Sequence, residues 1–330
     1  MSSHIGAVSL GLFSVAAINS IYNTIAQVVG RAKMDPIIFS TYRDLAATPV
    51  LFCAAVVAKD QVLMPRSRED GIRLAVQGGL GIFANQLLFL VGVGLTSSTV
   101  GAICNLTVPI FSAVVGSALG LEEPSLRTAV GLALVVVGAC VMKMQGTGAV
   151  IDGHGWTGIV LLLIGAFASA VYYWIQKKTL AKYTTAFVVA WEYAFGFAFM
   201  AVAATFKLFL YDKSFDPSMF ALQGKTAYAA LAFSVVFNSI LKYWLNASCN
   251  RAVSATVLTA WSTLTLPLTA ALSVLLLDGE VTRAEIFGCI PILIGIAIVS
   301  SRRPKDAAVE ESAWDRPYRM LTGAGADEGQ

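Results

Sequence analysis

Four ionisable residues stand inside stretches that are otherwise apolar. Arg43 and Asp44 lie in "PIIFSTYRDLAATPVLFCAAVVA" (36–58), Glu192 in 184–210 and Lys242 in 225–248. A charge in hydrocarbon is costly, so such residues turn to protein or water and find partners. Three kinds of work suit them: a carboxylate can carry a proton, a cation can hold a substrate carboxylate, or both can lock helices together. Adjacent residues on a helix point about 100° apart, so Arg43 and Asp44 are not expected simply to neutralise each other. Arg43 sits about 11 Å below one face of the layer at 1.5 Å per residue. Asn85 and Gln86 reach nearly that depth from the next apolar stretch, so Arg43 is expected to bond to one of them. Glu192 and Lys242 share a depth near the other face and are expected to form an ion pair.

Uncharged polar residues add a second layer. Asn19, Asn23 and Gln27 fall at i, i+4 and i+8, on one helical face. Ser169, Tyr172 or Tyr173, and Gln176 repeat that stripe later in the chain. Such stripes line a polar cavity or bond helix to helix, since bare amides in lipid are costly. Pro109 and Pro267 each kink a helix and free the carbonyl four residues back, on Asn105 and Thr263. Thr107 and Thr265 come to matching depths beside the kinks. Trp191 and Trp261, with Tyr193 and Trp244, can stack a planar substrate or anchor at the interface. Glu122, Glu123 and Glu280 end their spans and read as structural. Neither the two His nor the five Cys show a metal-binding spacing, so no metal and no cofactor are expected. There is no ATP loop, no His-Glu-x-x-His and no Gly-x-Ser-x-Gly, so an enzyme is not expected. The alternatives kept open from another class are an intramembrane enzyme and a non-transporting scaffold.

These residues need long helices to position them. The chain of 330 residues is 57% hydrophobic and only 13% charged, about half the charge of a soluble domain. The net charge of +3 gives no reason to expect nucleic acid. A bilayer core of about 30 Å needs about 20 helical residues. Ten stretches qualify: 5–29, 36–58, 72–95, 97–120, 126–145, 156–178, 184–210, 225–248, 251–277 and 284–301. With the N-terminus inside, cytoplasmic connections hold 14 Lys and Arg against 7 outside, which places both termini in the cytoplasm. The N-terminus carries no signal-peptide pattern, and 302–330 reads as a disordered cytoplasmic tail.

The chain also repeats. "CNLTVPI" (104–110) matches "STLTLPL" (262–268), 158 positions on. Glu122 and Glu280 each follow their proline by thirteen residues, and Gly131 and Gly138 match Gly288 and Gly295. "QVVGRAK" (27–33) aligns with "QKKTLAK" (176–182) at an offset of 149, which sets Arg43 opposite Glu192. Five spans per repeat is odd, so the second copy is inverted in the membrane, an arrangement used by carriers. The halves are 1–147 and 148–301.

The prolines, the glutamates after them and the Gly-x6-Gly pairs resemble the drug/metabolite transporter superfamily, in its EamA-domain branch. "TYRDLAATPVLF", "YWIQKKTLAKY" and "LTSSTVGAICNLTVPIFSAVV" look like the plant "walls are thin" exporters. The resemblance covers about 5–301. It implies an all-α integral membrane protein of ten transmembrane helices in two inverted five-helix repeats. It also implies a central cavity lined by helices one to four and six to nine, with five and ten peripheral. Substrates of that group are amino acids, indoles and other small metabolites. Lys242, in "KYWLNASCNRA", departs from the plant pattern and suggests a shift towards an anion. The expected function is a secondary exporter or facilitator working by alternating access; the alternative is a nucleotide-sugar or sugar-phosphate antiporter, for which two cations are few. Expected partners are a small-molecule substrate and the bilayer, with protons and a second copy of the chain left open, in the plasma membrane or an endomembrane or vacuole.

Overall fold

Short polar residues start the helices. The side chains of Asp35, Ser67, Ser97, Thr184 and Ser254 each accept a bond from a backbone N–H two or three residues on, which satisfies donors that a helix start leaves unpaired. Ser97 and Ser254 cap the same helix in the two halves, 157 positions apart. A computed structural model of the chain describes residues 2–29, 35–57, 64–123, 125–143, 153–210, 225–277 and 283–300. Glu280 and the tail 302–330 lie outside the described residues, as does the side chain of Gln27.

The regular structure among the described residues is all helix, with short irregular turns between the segments. α1 is Ser2–Val29 and α2 is Pro36–Val57. α3 runs Arg68–Gln77, loosens into a π-helical stretch over Gly78–Ala84, and continues as Asn85–Leu95. α4 comes in two pieces, Ser98–Asn105 and Val108–Ala118. α5 is Leu126–Lys143. α6 is Gly153–Lys182 and α7 is Thr185–Leu210. α8 runs Lys225–Phe233, turns π-helical over Ser234–Leu241, and resumes as Lys242–Ala252. α9 is split into Ala255–Ser262 and Thr265–Leu277, and α10 is Arg283–Ser300.

Among the described residues, seven stretches are long and apolar enough to cross a membrane: Gly6–Asn23, Arg68–Leu95, Val100–Ala118, Gly155–Lys182, Thr185–Lys207, Tyr228–Ala252 and Ala255–Leu272. Leu126–Met142 and Ile286–Ser300 are shorter apolar helices. α2 belongs to neither set; Arg43, Asp44 and its hydroxyl residues lower its hydropathy.

The irregular stretches repeat as faithfully as the regular ones. The π-helical segment of α3 has its counterpart in α8, and the break in α4 has its counterpart in α9. The breaks, at 106–107 and 263–264, fall two to four residues before Pro109 and Pro267, where a proline disturbs the preceding turn. The freed carbonyl of Thr263 does not stay free, however: Leu266 N–H takes it at 3.1 Å in a tighter turn. α4 closes at Gly120, whose φ of +68° is left-handed, the conformation glycine adopts without strain. The turn sends Glu122 back into the protein, where Thr256 donates to it at 2.7 Å. Glu122 is therefore a buried tie between α4 and α9 and not an exposed end group.

α5 and α10 pack along each other. A Cβ on Gly138 would lie 2.5 Å from the Gly288 carbonyl, and one on Gly295 would lie 2.4 Å from the Gly131 carbonyl. Gly131 thus meets Gly295 and Gly138 meets Gly288, an antiparallel contact in which each half offers the same surface. Val135, Ala139, Ile292 and Ile296 continue that seam and join Ala16, Leu106 and Leu264 in one apolar cluster. A second cluster, around Leu74, Ile82, Val188 and Tyr193, binds α3 to α7. No strand and no group of metal-ligating side chains occurs among the described residues.

Candidate functional site

Two polar clusters are buried between the helices, one in each half. In the first, Arg43 is 5% exposed and Asp44 is fully buried. Arg43 Nε and Nη2 donate to Asp44 Oδ1 at 3.0 and 2.8 Å, and Nη2 also donates to Gln86. The bond to Gln86 is the expected one. The pairing with Asp44 corrects the expectation that the neighbours would not neutralise each other. Their Cβ atoms do diverge, but the long Arg side chain folds back along the helix, and burial leaves it no better anion.

In the second cluster, Glu192 is fully buried. Tyr172 OH donates to it at 3.0 Å, and Gln176 Nε2 lies 3.1 and 3.2 Å from its two oxygens. Gln176 Nε2 also bonds Tyr172 OH at 2.5 Å. Asn250 Nδ2 donates to Gln176 Oε1 and to the Tyr173 carbonyl, both at 2.9 Å. Asn246 donates to Tyr173 OH at 3.2 Å. The predicted Glu192–Lys242 ion pair does not form. Glu192 turns towards α6, and Lys242 turns towards α1, where its Nζ donates to Asn19 Oδ1 at 3.2 Å and sits 4.6 Å above the Tyr243 ring. A charge in a helical bundle follows its face of the helix, and depth alone cannot predict the face.

The two clusters are linked by symmetry. Asn85 and Lys242 each follow directly on their π-helical segment, 157 positions apart. Asn85 reaches across to Ser169 in α6; Lys242 reaches across to Asn19 in α1. Each third helix thus touches the first helix of the other half at the same level. The glycine run "GGLG" (78–81) makes the approach close. A Cβ on Gly78 would lie 2.6 Å from the Glu192 carbonyl, and one on Gly81 would lie 2.4 Å from the Tyr172 ring.

The other expected site residues divide. Asn23 and Asn105 are exposed on their helices. Thr107 and Thr263 bond the carbonyls of Cys104 and Ala260, each at 2.6 Å. Thr265 is buried, its carbonyl accepts from Ser20 at 3.0 Å, and its hydroxyl has no partner. Pro109 is buried in the second piece of α4 and Pro267 is half-buried in that of α9. Trp191 belongs to an aromatic row with Phe52, Phe187 and Phe195 between α2 and α7. Trp261 points its N–H to Ser300 of α10 at 2.7 Å. Asn246 and Asn250 went unpredicted; their i, i+4 spacing on one face was the available signal. The π-helical segments had no sequence signal beyond the glycines in α3.

One end of the bundle is tied shut. Tyr183 OH donates to Asp70 Oδ2 at 2.9 Å and accepts from the Arg66 backbone N–H at 2.9 Å. Burial pushes the Tyr183 pKa up, which keeps the hydroxyl a neutral donor. Arg251 Nη2 donates to the Leu180 carbonyl at 2.6 Å, and Lys177 Nζ to the Val253 carbonyl at 3.1 Å. Gln77 bonds Thr179 at 2.6 Å, and Trp174 bonds the Ser112 carbonyl at 2.9 Å. These contacts join α3, α4, α6, α8 and the connection between α8 and α9. At the opposite end Lys207 pairs with Asp35 across α2 and α7.

An all-helical membrane protein with two like halves and a polar midsection defines a class. The EamA-like transporter family matches residues 7–144 and 156–301, and the chain belongs to that family. A WAT1-related protein of Arabidopsis thaliana is 22% identical over 89% of this chain and 82% of its own length. A second WAT1-related protein of that plant is 23% identical over 92% and 86%. An uncharacterized transporter of Archaeoglobus fulgidus is 26% identical over 67% and 73%. A solved crystal structure superposes with a TM-score of 0.73 at 16% identity, covering 89% of this chain and 96% of that one, and shares the fold. The chain is a multi-pass membrane transporter of the drug/metabolite superfamily and not an enzyme.

Proposed function

We propose that the chain is a secondary carrier of a small organic metabolite such as an amino acid or an indole-type compound. It works as an exporter or facilitator. Ten helices cross the bilayer, both termini are cytoplasmic, and the halves 1–147 and 148–301 rock about the polar midsection. The observation that supports this reading is the matched irregularity of the two halves. A π-helical third helix and a broken fourth helix recur in each, beside polar side chains that cross between the halves. Carriers place their sites where helices are discontinuous near the midplane. The end tied by Tyr183, Lys177 and Arg251 would be the cytoplasmic one, so the structure corresponds to a state closed on that side. Glu192, with only neutral donors around it, is the group through which protons would couple to transport.

The test is efflux from proteoliposomes preloaded with amino acids, indoles, nucleosides and sugar phosphates, read by mass spectrometry. Release of one class unaltered, above protein-free vesicles, is the expected result. Chemical conversion of a preloaded compound, or no release of any, overturns the reading.

A further inference from the structure

Among the described residues, the polar part of the bundle carries one positive charge more than its internal pairs need. Arg43 is committed to Asp44 and Gln86. Glu192 is enclosed by Tyr172 and Gln176. The direct contacts of Lys242 are neutral, the Asn19 oxygen and the Tyr243 ring, and the Asp44 carboxylate that it feels electrostatically is already paired with Arg43. An ammonium carries three donors, so two remain for something else. The same place in the first half shows what the fold itself needs there. Asn85 makes the equivalent crossing contact with a neutral amide. A full charge at Lys242 exceeds that requirement, and its solitary cost in a membrane is high.

We propose that Lys242 and Asn19 form the carboxylate-binding end of the transport site, and that the substrate is an organic anion bearing one carboxylate. This rests on the carrier reading above and adds the substrate's charge to it. Arg43 and Lys242 share the single carboxylate of Asp44; an incoming carboxylate balances the remaining positive charge, and the Lys242 ammonium and the Asn19 amide N–H both donate to it. Asn19 is half-buried and Asn23, one turn along α1, is exposed, so the polar stripe runs from the surface of α1 towards the ammonium. One uncommitted cation suits a monoanion. A phosphate dianion would keep an uncompensated charge, close to Asp44, whose Oδ2 has no hydrogen-bond partner of its own. The Tyr243 ring beside the ammonium, edge-on to Tyr193 at 5.1 Å, offers an aromatic wall to the rest of the substrate.

Thermal unfolding of the purified protein in detergent tests this with benzoate, benzamide, benzylamine and phenyl phosphate at matched ionic strength. The expected result is a saturable rise in Tm with benzoate alone, kept in Lys242→Arg and absent in Lys242→Gln. Lys242→Gln without ligand should be at least as stable as the parent, because an unneutralised charge has left the membrane interior. The proposal is overturned if benzamide, benzylamine or phenyl phosphate shifts Tm as much as benzoate. It is equally overturned if Lys242→Gln keeps the benzoate response, if no probe shifts Tm, or if Lys242→Gln is markedly destabilised, which would make Lys242 a structural counter-charge to Asp44. The proteoliposome efflux experiment uses the parent protein and all substrate classes, so a carrier with a different substrate class and a protein that carries nothing give different pairs of results.

Discussion

Arg43 and Asp44 are buried together, so each is the other's solvent. Arg43→Ala leaves the Asp44 carboxylate and the Gln86 amide without their partner. Breaking such a pair costs about 3–5 kcal/mol, and the double change Arg43→Ala/Asp44→Ala should cost less than either single one. Thermal unfolding of the three variants measures it. Glu192 predicts a different outcome. Glu192→Gln keeps the shape and most of the bonds to Tyr172 and Gln176 but removes the titrating group. Substrate exchange should continue, while accumulation driven by a pH gradient should vanish; a variant that still accumulates would clear Glu192 of coupling. The sequence disclosed these residues because a charge in an apolar run is conspicuous. It did not disclose their partners. Arg43 reached Gln86 because two antiparallel helices set their depths, whereas Glu192 and Lys242 share a depth and face different helices.

Helices α5 and α10 were legible as a matched pair through Gly131, Gly138, Gly288 and Gly295. What the sequence left unsaid is that the glycines meet each other. Filling this seam should be severe. Gly138→Val or Gly288→Val drives a branched side chain against a carbonyl within about 2.5 Å, and overpacking typically costs about 1–3 kcal/mol. Gly6→Val, with nothing within 4 Å of its Cβ, should be tolerated. The yield of monodisperse protein by size exclusion separates the two. The kinks in α4 and α9 were likewise readable from their prolines. The π-helical turns of α3 and α8 were not, because an extra residue in a turn leaves no residue-type signature, and the helix boundaries shifted for a similar reason. α3 begins at Arg68, since Ser67 caps it before the apolar run starts.

Among the described residues, the end of the bundle around Tyr183 is held by a set of side-chain ties. If that end is a gate, loosening it should expose the interior. Cys249 is 5% exposed, two residues before Arg251, and packed on α1 at Val8 and Gly11. In a background that keeps Cys249 alone, Arg251→Gln should raise its labelling by a water-soluble maleimide several-fold. Tyr183→Phe should act in the same direction by releasing Asp70 and the Arg66 backbone. Unchanged labelling in both would show that these ties only brace the fold. The glycine seam carries a consequence for ancestry. Because α5 and α10 present like faces to each other head to tail, a five-helix chain ending at α5 already owns a surface that fits its own upside-down copy. A single half made alone should therefore insert in both orientations and pair with itself, which is the form a gene must have had before duplication joined the two copies into one chain.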